Sequence, residues 1–138
     1  MHESLQESLN YISNTIQRLG PFDGLIGFSQ GASIASMAYE HMVLNNFANS
    51  LKYIICIGGV KTYTPLKFKI KIKSLHLMGQ EDEHLEQSKL LVNCYDKEYA
   101  TIIEYNEGHN IPSIRTGIYH LIKKWVWEDE GYDFIIQN

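Results

Sequence analysis

Apolar residues fall into two kinds of run along this chain: amphipathic stretches at helical spacing, and short blocks that are apolar almost throughout. Leu5, Leu9, Ile12, Ile16 and Leu19 recur every three or four residues, as one face of a helix does, until Gly20-Pro21 ends the run. Ser4-x-x-Glu7 opens that stretch as a capping box, with side chains placed to satisfy orphan backbone N–H groups. Asp23 to Phe28 follows as a short apolar strand of the kind buried on both faces in a parallel sheet. Ala32 to about Asn45 reads as a helix, with small Ala32 and Ala35 near its start. Tyr53 to Val60, rich in isoleucine, is a second buried strand, and Ser74 to Met78, ending at Gly79, is a third. Leu85 to Tyr95 is helical and Thr101 to Tyr105 is a fourth strand. Ile114, Ile118, Leu121, Ile122 and Trp125 stripe a closing helix. This alternation predicts an α/β domain: a parallel sheet of about four strands, flanking helices, and a site at the carboxyl ends of the strands.

Two segments stand apart from that rhythm. Lys67, Lys69, Lys71 and Lys73 alternate with Phe68, Ile70 and Ile72, a period of two. An extended segment with one solvated face accounts for this better than a basic strip recruiting a phosphate or an anionic carrier protein. The stretch from Glu128 to Asn138 is acidic, then apolar at Phe134-Ile135-Ile136, and its pattern assigns it no role.

Composition narrows the class. The 138 residues contain no repeat or low-complexity linker, so residues 1–138 are read as a single domain, and 44% hydrophobic content is enough for a core. A net charge of −4 argues against nucleic acid as a partner, because phosphate binding needs a cationic surface. Cys56 and Cys94 show neither disulfide nor metal spacing and read as small packed residues in a reducing compartment. The longest apolar run, Tyr53 to Val60, has eight residues counting its two glycines, too short to span a bilayer. The start, Met1-His2-Glu3-Ser4, lacks a basic-then-apolar signal pattern. A soluble, cytoplasmic protein without a transmembrane segment is expected.

The chemistry enters at Gly27-Phe28-Ser29-Gln30-Gly31, directly after the apolar Gly24-Leu25-Ile26. A Gly-x-Ser-x-Gly pentapeptide between strand and helix is the nucleophile elbow, a sharp turn that pushes the serine hydroxyl clear of the backbone. Both glycines are expected to be required where strand and helix crowd each other. A serine hydroxyl is a poor nucleophile at neutral pH and needs a base, here a histidine held by a carboxylate. His109, in Glu107-Gly108-His109-Asn110 after the fourth strand, is the candidate base. Asp82, in Gly79-Gln80-Glu81-Asp82 after the third strand, is the candidate orienting acid. Each has a bland alternative. Ser29 and Asp82 suit helix N-caps, and Glu81 or Glu83 is a rival carboxylate. Asp82 is preferred because its shorter side chain caps and orients more rigidly. His76 reads as a packed strand histidine, His84 as part of an exposed helix start, and His2, His41 and His120 as surface residues. The order Ser29, Asp82, His109, each after a different strand, is that of α/β-hydrolases. Such chemistry calls for no cofactor and no metal.

With these residues in view, the chain resembles the FSH-type serine hydrolases, a branch of the α/β-hydrolase fold. Gly20-Pro21-Phe22-Asp23-Gly24-Leu25-Ile26-Gly27-Phe28-Ser29-Gln30-Gly31-Ala32 is similar to that family's nucleophile segment. Ser74-Leu75-His76-Leu77-Met78-Gly79 with Asp82 resembles its acid segment, and Gly108-His109-Asn110-Ile111-Pro112 its histidine segment. The resemblance implies hydrolysis of small-molecule carboxylic esters or thioesters, with Ser29 as nucleophile, Asp82 as acid and His109 as base. The backbone N–H of Gln30 is then one oxyanion donor. Family members carry further strands and a second oxyanion donor ahead of the nucleophile strand. This chain begins in the preceding helix, so it is expected to be an N-terminally truncated part of a longer hydrolase or a reduced protein. Asp23 to Phe28 then becomes an uncovered sheet edge, expected to pair copies into a homo-oligomer. Two rival functions remain: an acyl-protein thioesterase or carboxylesterase, whose elbow also reads Gly-Phe-Ser-Gln-Gly, and a catalytically dead scaffold. The thioesterase would carry a second glycine where Ala32 stands and no proline after the histidine.

Overall fold

The computed structural model describes residues 3–47, 50–61 and 65–127. Helix α1 (Glu3–Leu19) leads into strand β1 (Gly24–Phe28), helix α2 (Gln30–Leu44) and strand β2 (Tyr53–Ile57). Then come β3 (Lys73–Gly79), α3 (Leu85–Val92), β4 (Ala100–Tyr105), a 3-10 turn (Ile114–Thr116) and α4 (Ile118–Trp127). The four strands form one parallel sheet in the order β1-β2-β3-β4, with Gly27 opposite Cys56, Cys56 opposite His76 and His76 opposite Ile102.

Apolar blocks become strands here because both sheet faces are covered. On one face Ile54 and Cys56 of β2 pack with Ala32 and Ala35 of α2, with Leu91 of α3 and with Tyr95 beyond that helix. The small alanines let α2 lie close to the strands. On the other face Ile55, Ile57, Leu75, Leu77, Ile103 and Tyr105 meet Ile118 and Trp125 around α4. Helix α1 sits behind α2, with Leu9 buried against Met37 and Ala38. Strand β1 stands at the sheet edge with Ile26 66% exposed, and nothing among the described residues pairs with its free side.

Several boundaries differ from the pattern reading. Helix α1 already includes Glu3, so Ser4 lies inside it rather than at the N-cap, and Leu19 in its last turn is exposed. Strand β2 stops at Ile57 because Gly58 turns to a φ of +52°. Helix α3 ends at Val92, and Tyr95 instead bridges to Ile70. Ile114 falls in the 3-10 turn, exposed, because Gly117 at φ +69° breaks the chain before α4. Lys67, Lys69 and Lys71 are exposed and Ile70 and Ile72 buried, the expected one-sided extended segment, though Phe68 also faces out. The Glu128–Asn138 stretch lies outside the described residues. No described helix is long and apolar enough to cross a membrane.

Beneath the sheet a polar knot is buried with the core. His76 Nε2 meets Ser74 Oγ at 3.0 Å, its ring stands edge-on to Tyr95, and Tyr95 OH meets Ser36 Oγ at 2.6 Å. Burial pushes the Cys56 thiol up to about 12 and lowers the His76 imidazole to about 4. His76 therefore stays neutral in the folded state while the unfolded chain takes up a proton near pH 6.5. Below that pH the unfolded state binds more protons, so stability falls as pH drops from about 6.5 toward 4 and the loss levels off below. Urea unfolding at pH 7 and 4.5 should show the protein losing roughly 2–3 kcal/mol more than His76→Gln does over that interval. Equal losses in the two proteins would contradict this account.

Candidate active site

The end of β1 places Ser29. Its backbone sits at φ 58°, ψ −122°, a conformation uncommon for a residue with a side chain. Ser29 N–H donates to Ile57 C=O at 2.9 Å, and Ser29 C=O accepts from Val60 N–H at 3.1 Å. The turn is thus held from β2 and the loop beyond it. Crowding is severe at Gly27, where a β-carbon would lie 2.3 Å from the Gly31 carbonyl oxygen. Gly31 itself faces open space. The expectation that both glycines are required therefore holds at Gly27 alone, because the close approach is made by the Gly31 backbone. Ser29 occupies the N-cap position of α2, yet its side chain makes no capping bond.

The hydroxyl points elsewhere. Ser29 Oγ lies 3.0 Å from His109 Nε2, and His109 Nδ1 lies 2.8 Å from Asp82 Oδ2. Of the three neighbouring carboxylates, Glu81 and Glu83 are exposed, whereas the Asp82 side chain is only 1% exposed. Asp82 also serves the local turn: Oδ1 accepts the His84 N–H at 2.7 Å while Oδ2 faces the imidazole. The N-cap of α3 is His84, so Asp82 does not cap that helix; its second oxygen closes the turn just ahead of it. The loops after β3 and β4 are bound together, since Gln80 N–H donates to Tyr105 C=O at 2.8 Å and Glu81 N–H to Glu107 C=O at 3.0 Å. A β-carbon at Gly79 would meet the Gly108 carbonyl oxygen at 2.4 Å, so the histidine loop crosses directly over the end of β3. Gln30, the first residue of α2, has an N–H without an intrahelical partner at the positive end of the helix dipole.

Three neighbours of His109 escaped the pattern reading. Phe28 stacks on the ring at 5.1 Å and 29°; it occupies the variable position of the elbow. His84, expected on an exposed helix start, stands edge-on to His109 at 4.8 Å, drawn in by its N–H bond to Asp82. Gly58 is the third. The Gly58-Gly59 doublet is a turn signal that the apolar run concealed. A β-carbon there would sit 3.3 Å from His109 Nδ1 and 3.4 Å from Asp82 Oδ2, at a φ that favours glycine. Gly58→Ala should cost about 1–2 kcal/mol in backbone strain and lower turnover about tenfold by displacing the imidazole. Thermal unfolding and ester kinetics on the same sample check this, and unchanged turnover would show that the His109–Asp82 pair tolerates the methyl group. Among the described residues no group of His, Cys, Asp and Glu is placed to hold a metal ion.

Comparison with known proteins bears on the fold and the family. The structure resembles that of Paleococcus ferrophilus monoacylglycerol lipase with a TM-score of 0.68 at 15% identity, over 88% of this chain and 74% of the lipase. This is a likeness of fold, that of the α/β-hydrolases. Esterase FUS5 of Gibberella moniliformis is 30% identical over 116 residues, which cover 80% of this chain and 50% of the relative. Family of serine hydrolases 2 of Saccharomyces cerevisiae is 27% identical over 135 residues, 88% of this chain and 60% of that protein. The chain thus spans about half the length of these curated relatives. The profile of the family described as Serine hydrolase (FSH1) matches residues 1–118, and the chain belongs to that family.

Proposed function

We propose that this chain carries the nucleophile, base and orienting acid of an enzyme hydrolysing small-molecule carboxylic esters or thioesters. The observation that carries the reading is one imidazole held between two partners, Asp82 Oδ2 at 2.8 Å and Ser29 Oγ at 3.0 Å. Ser29 Oγ attacks the acyl carbon as its proton passes to His109 Nε2. The carbonyl oxygen gains negative charge, and the Gln30 N–H stands at the helix start to receive it. The tetrahedral intermediate expels the alcohol or thiol, which takes the proton from Nε2, and leaves an acyl-Ser29 ester. Water then attacks that ester with His109 again accepting a proton, and collapse releases the carboxylic acid and restores Ser29. Asp82, hydrogen-bonded at Nδ1, keeps Nε2 free to act as acceptor and balances the imidazolium that forms.

The test is covalent labelling with a fluorophosphonate probe followed by peptide mapping. The adduct is expected on Ser29, and His109→Ala should slow its formation to near background. An adduct on Ser33 or Ser36 instead, or none at all, would overturn the assignment. A panel of p-nitrophenyl esters and thioesters of increasing acyl length then defines the substrate class.

A further inference from the structure

The loop from β4 to the 3-10 turn carries His109, and its far end is gripped by a carboxylate that the hydrolytic steps do not use. Glu107 Oε1 accepts from the Ser113 backbone N–H at 2.8 Å and from Asn110 Nδ2 at 3.2 Å. Glu107 Oε2 accepts from Ser113 Oγ at 2.7 Å. The same residue's backbone carbonyl accepts the Glu81 N–H of the acid loop at 3.0 Å. Glu107 thus ties Asp82's loop through its backbone and His109's loop through its side chain. Two tyrosines brace the same segment: Tyr105 OH donates to Asn110 C=O at 2.6 Å, and Tyr119 OH donates to Pro112 C=O.

We propose that Glu107 is a positioning residue for His109: by gripping Ser113 and Asn110 it sets the path of the 107–113 loop and so aims the imidazole at Asp82 and Ser29. This rests on the reading of His109 as the base. The Ser113 backbone and hydroxyl bonds, chiefly, hold the Glu107 carboxyl below the usual carboxylate range, with Arg115 a minor contributor. Both oxygens are therefore acceptors at neutral pH. Burial first, then the Asp82 and Glu107 carboxylates, pushes the Tyr105 phenol up to about 12, so it remains a donor. Ser113 offers a backbone N–H to one oxygen and a hydroxyl to the other. A glutamine could still accept the N–H and donate its NH₂ to the Ser113 Oγ, so only an apolar side chain of similar size releases both contacts.

Glu107→Leu roughly keeps the size of the side chain and removes both acceptors. In protein labelled with 15N-histidine, the His109 Nδ1–H donated to Asp82 should give a sharp downfield resonance. Glu107→Leu should broaden or remove it and slow fluorophosphonate labelling about 10–100-fold, the order expected when a reacting group is misplaced by up to an ångström. Glu107→Gln, which can re-form the Ser113 pair with the hydroxyl turned round, should move both readouts less. Ser113→Ala, which deletes only the Oγ contact, should shift the same resonance less, and it carries the test should Glu107→Leu not fold. The double variant Glu107→Leu with Ser113→Ala should match Glu107→Leu within about twofold, because the Ser113 hydroxyl acts through Glu107. Glu86→Gln on α3 is the control and should leave both readouts unchanged. An unmoved resonance and parent labelling rate in Glu107→Leu would overturn the proposal. Failure of the parent protein to label would instead sink the hydrolase reading, leaving the resonance to judge the loop.

Discussion

Changing Ser29 to alanine should remove fluorophosphonate labelling altogether and lower ester turnover by about 10⁶-fold, the loss expected when the nucleophile of a hydrolytic triad is deleted. The fold should barely notice. The Ser29 hydroxyl makes no capping bond, and its backbone is held through N–H and C=O groups that alanine retains. The β-carbon is also unchanged, so the stability difference should stay within about 1 kcal/mol. Ser33→Ala is the mirror case. Ser33 Oγ donates to Val60 C=O in the loop that braces the elbow. Its loss should lower the melting temperature while leaving the labelled residue the same. Intact-mass measurement with thermal unfolding separates the two. An acyl or phosphonyl adduct on the alanine variant at position 29 would end the assignment of Ser29.

Asp82→Asn should be nearly as damaging, costing on the order of 10⁴ in turnover with little change in structure. The amide keeps the shape of the carboxylate, but its NH₂ favours the imidazole tautomer with the proton on the wrong nitrogen. It also removes the charge that balances the imidazolium. Asp82 is buried, with one oxygen on His109 Nδ1 and the other on the His84 N–H, so no water can stand in for either bond. Glu81 and Glu83 lie exposed on either side. Their glutamine variants should stay within about tenfold of the parent, a barrier difference of roughly 1.4 kcal/mol. Steady-state kinetics on the three variants decides it, and a comparable loss at Glu81 or Glu83 would transfer the role to that residue.

What the sequence revealed followed the physics of burial. Strands covered on both faces need apolar residues almost throughout, and so Tyr53–Ile57 and Lys73–Gly79 stood out as blocks. Gly24–Phe28 reads the same way but is not buried on both faces, because it lies at the sheet edge with Ile26 and Phe28 exposed. The elbow was legible because the close approach at Gly27 tolerates no β-carbon. The choice of Asp82 over its glutamate neighbours followed from side-chain length alone. Other features depend on how loops travel, which a periodic pattern does not record. The left-handed turn at Gly58 cuts the run Tyr53–Val60 short and opens the space that His109 fills. His84 reaches the imidazole only because its backbone N–H answers the second oxygen of Asp82. Ile114 shared the spacing of α4 by coincidence, since Gly117 separates them. Gly31 looked obligatory from the motif, yet the steric demand falls on its partner across the turn.

The parallel register of the sheet has a consequence for timing. Ser29 and His109 are separated by 80 positions and meet only through strand ends aligned across β1, β2, β3 and β4. A slip of one residue between β3 and β4 would move a strand end by about 3.3 Å and turn alternate side chains to the opposite face. Either change exceeds what a 2.8 Å bond between His109 and Asp82 can absorb. With Ser29 as the proposed nucleophile, labelling at that position should report strand pairing rather than helix or strand content. A half-assembled molecule with its secondary structure in place but its strands out of step should stay chemically silent.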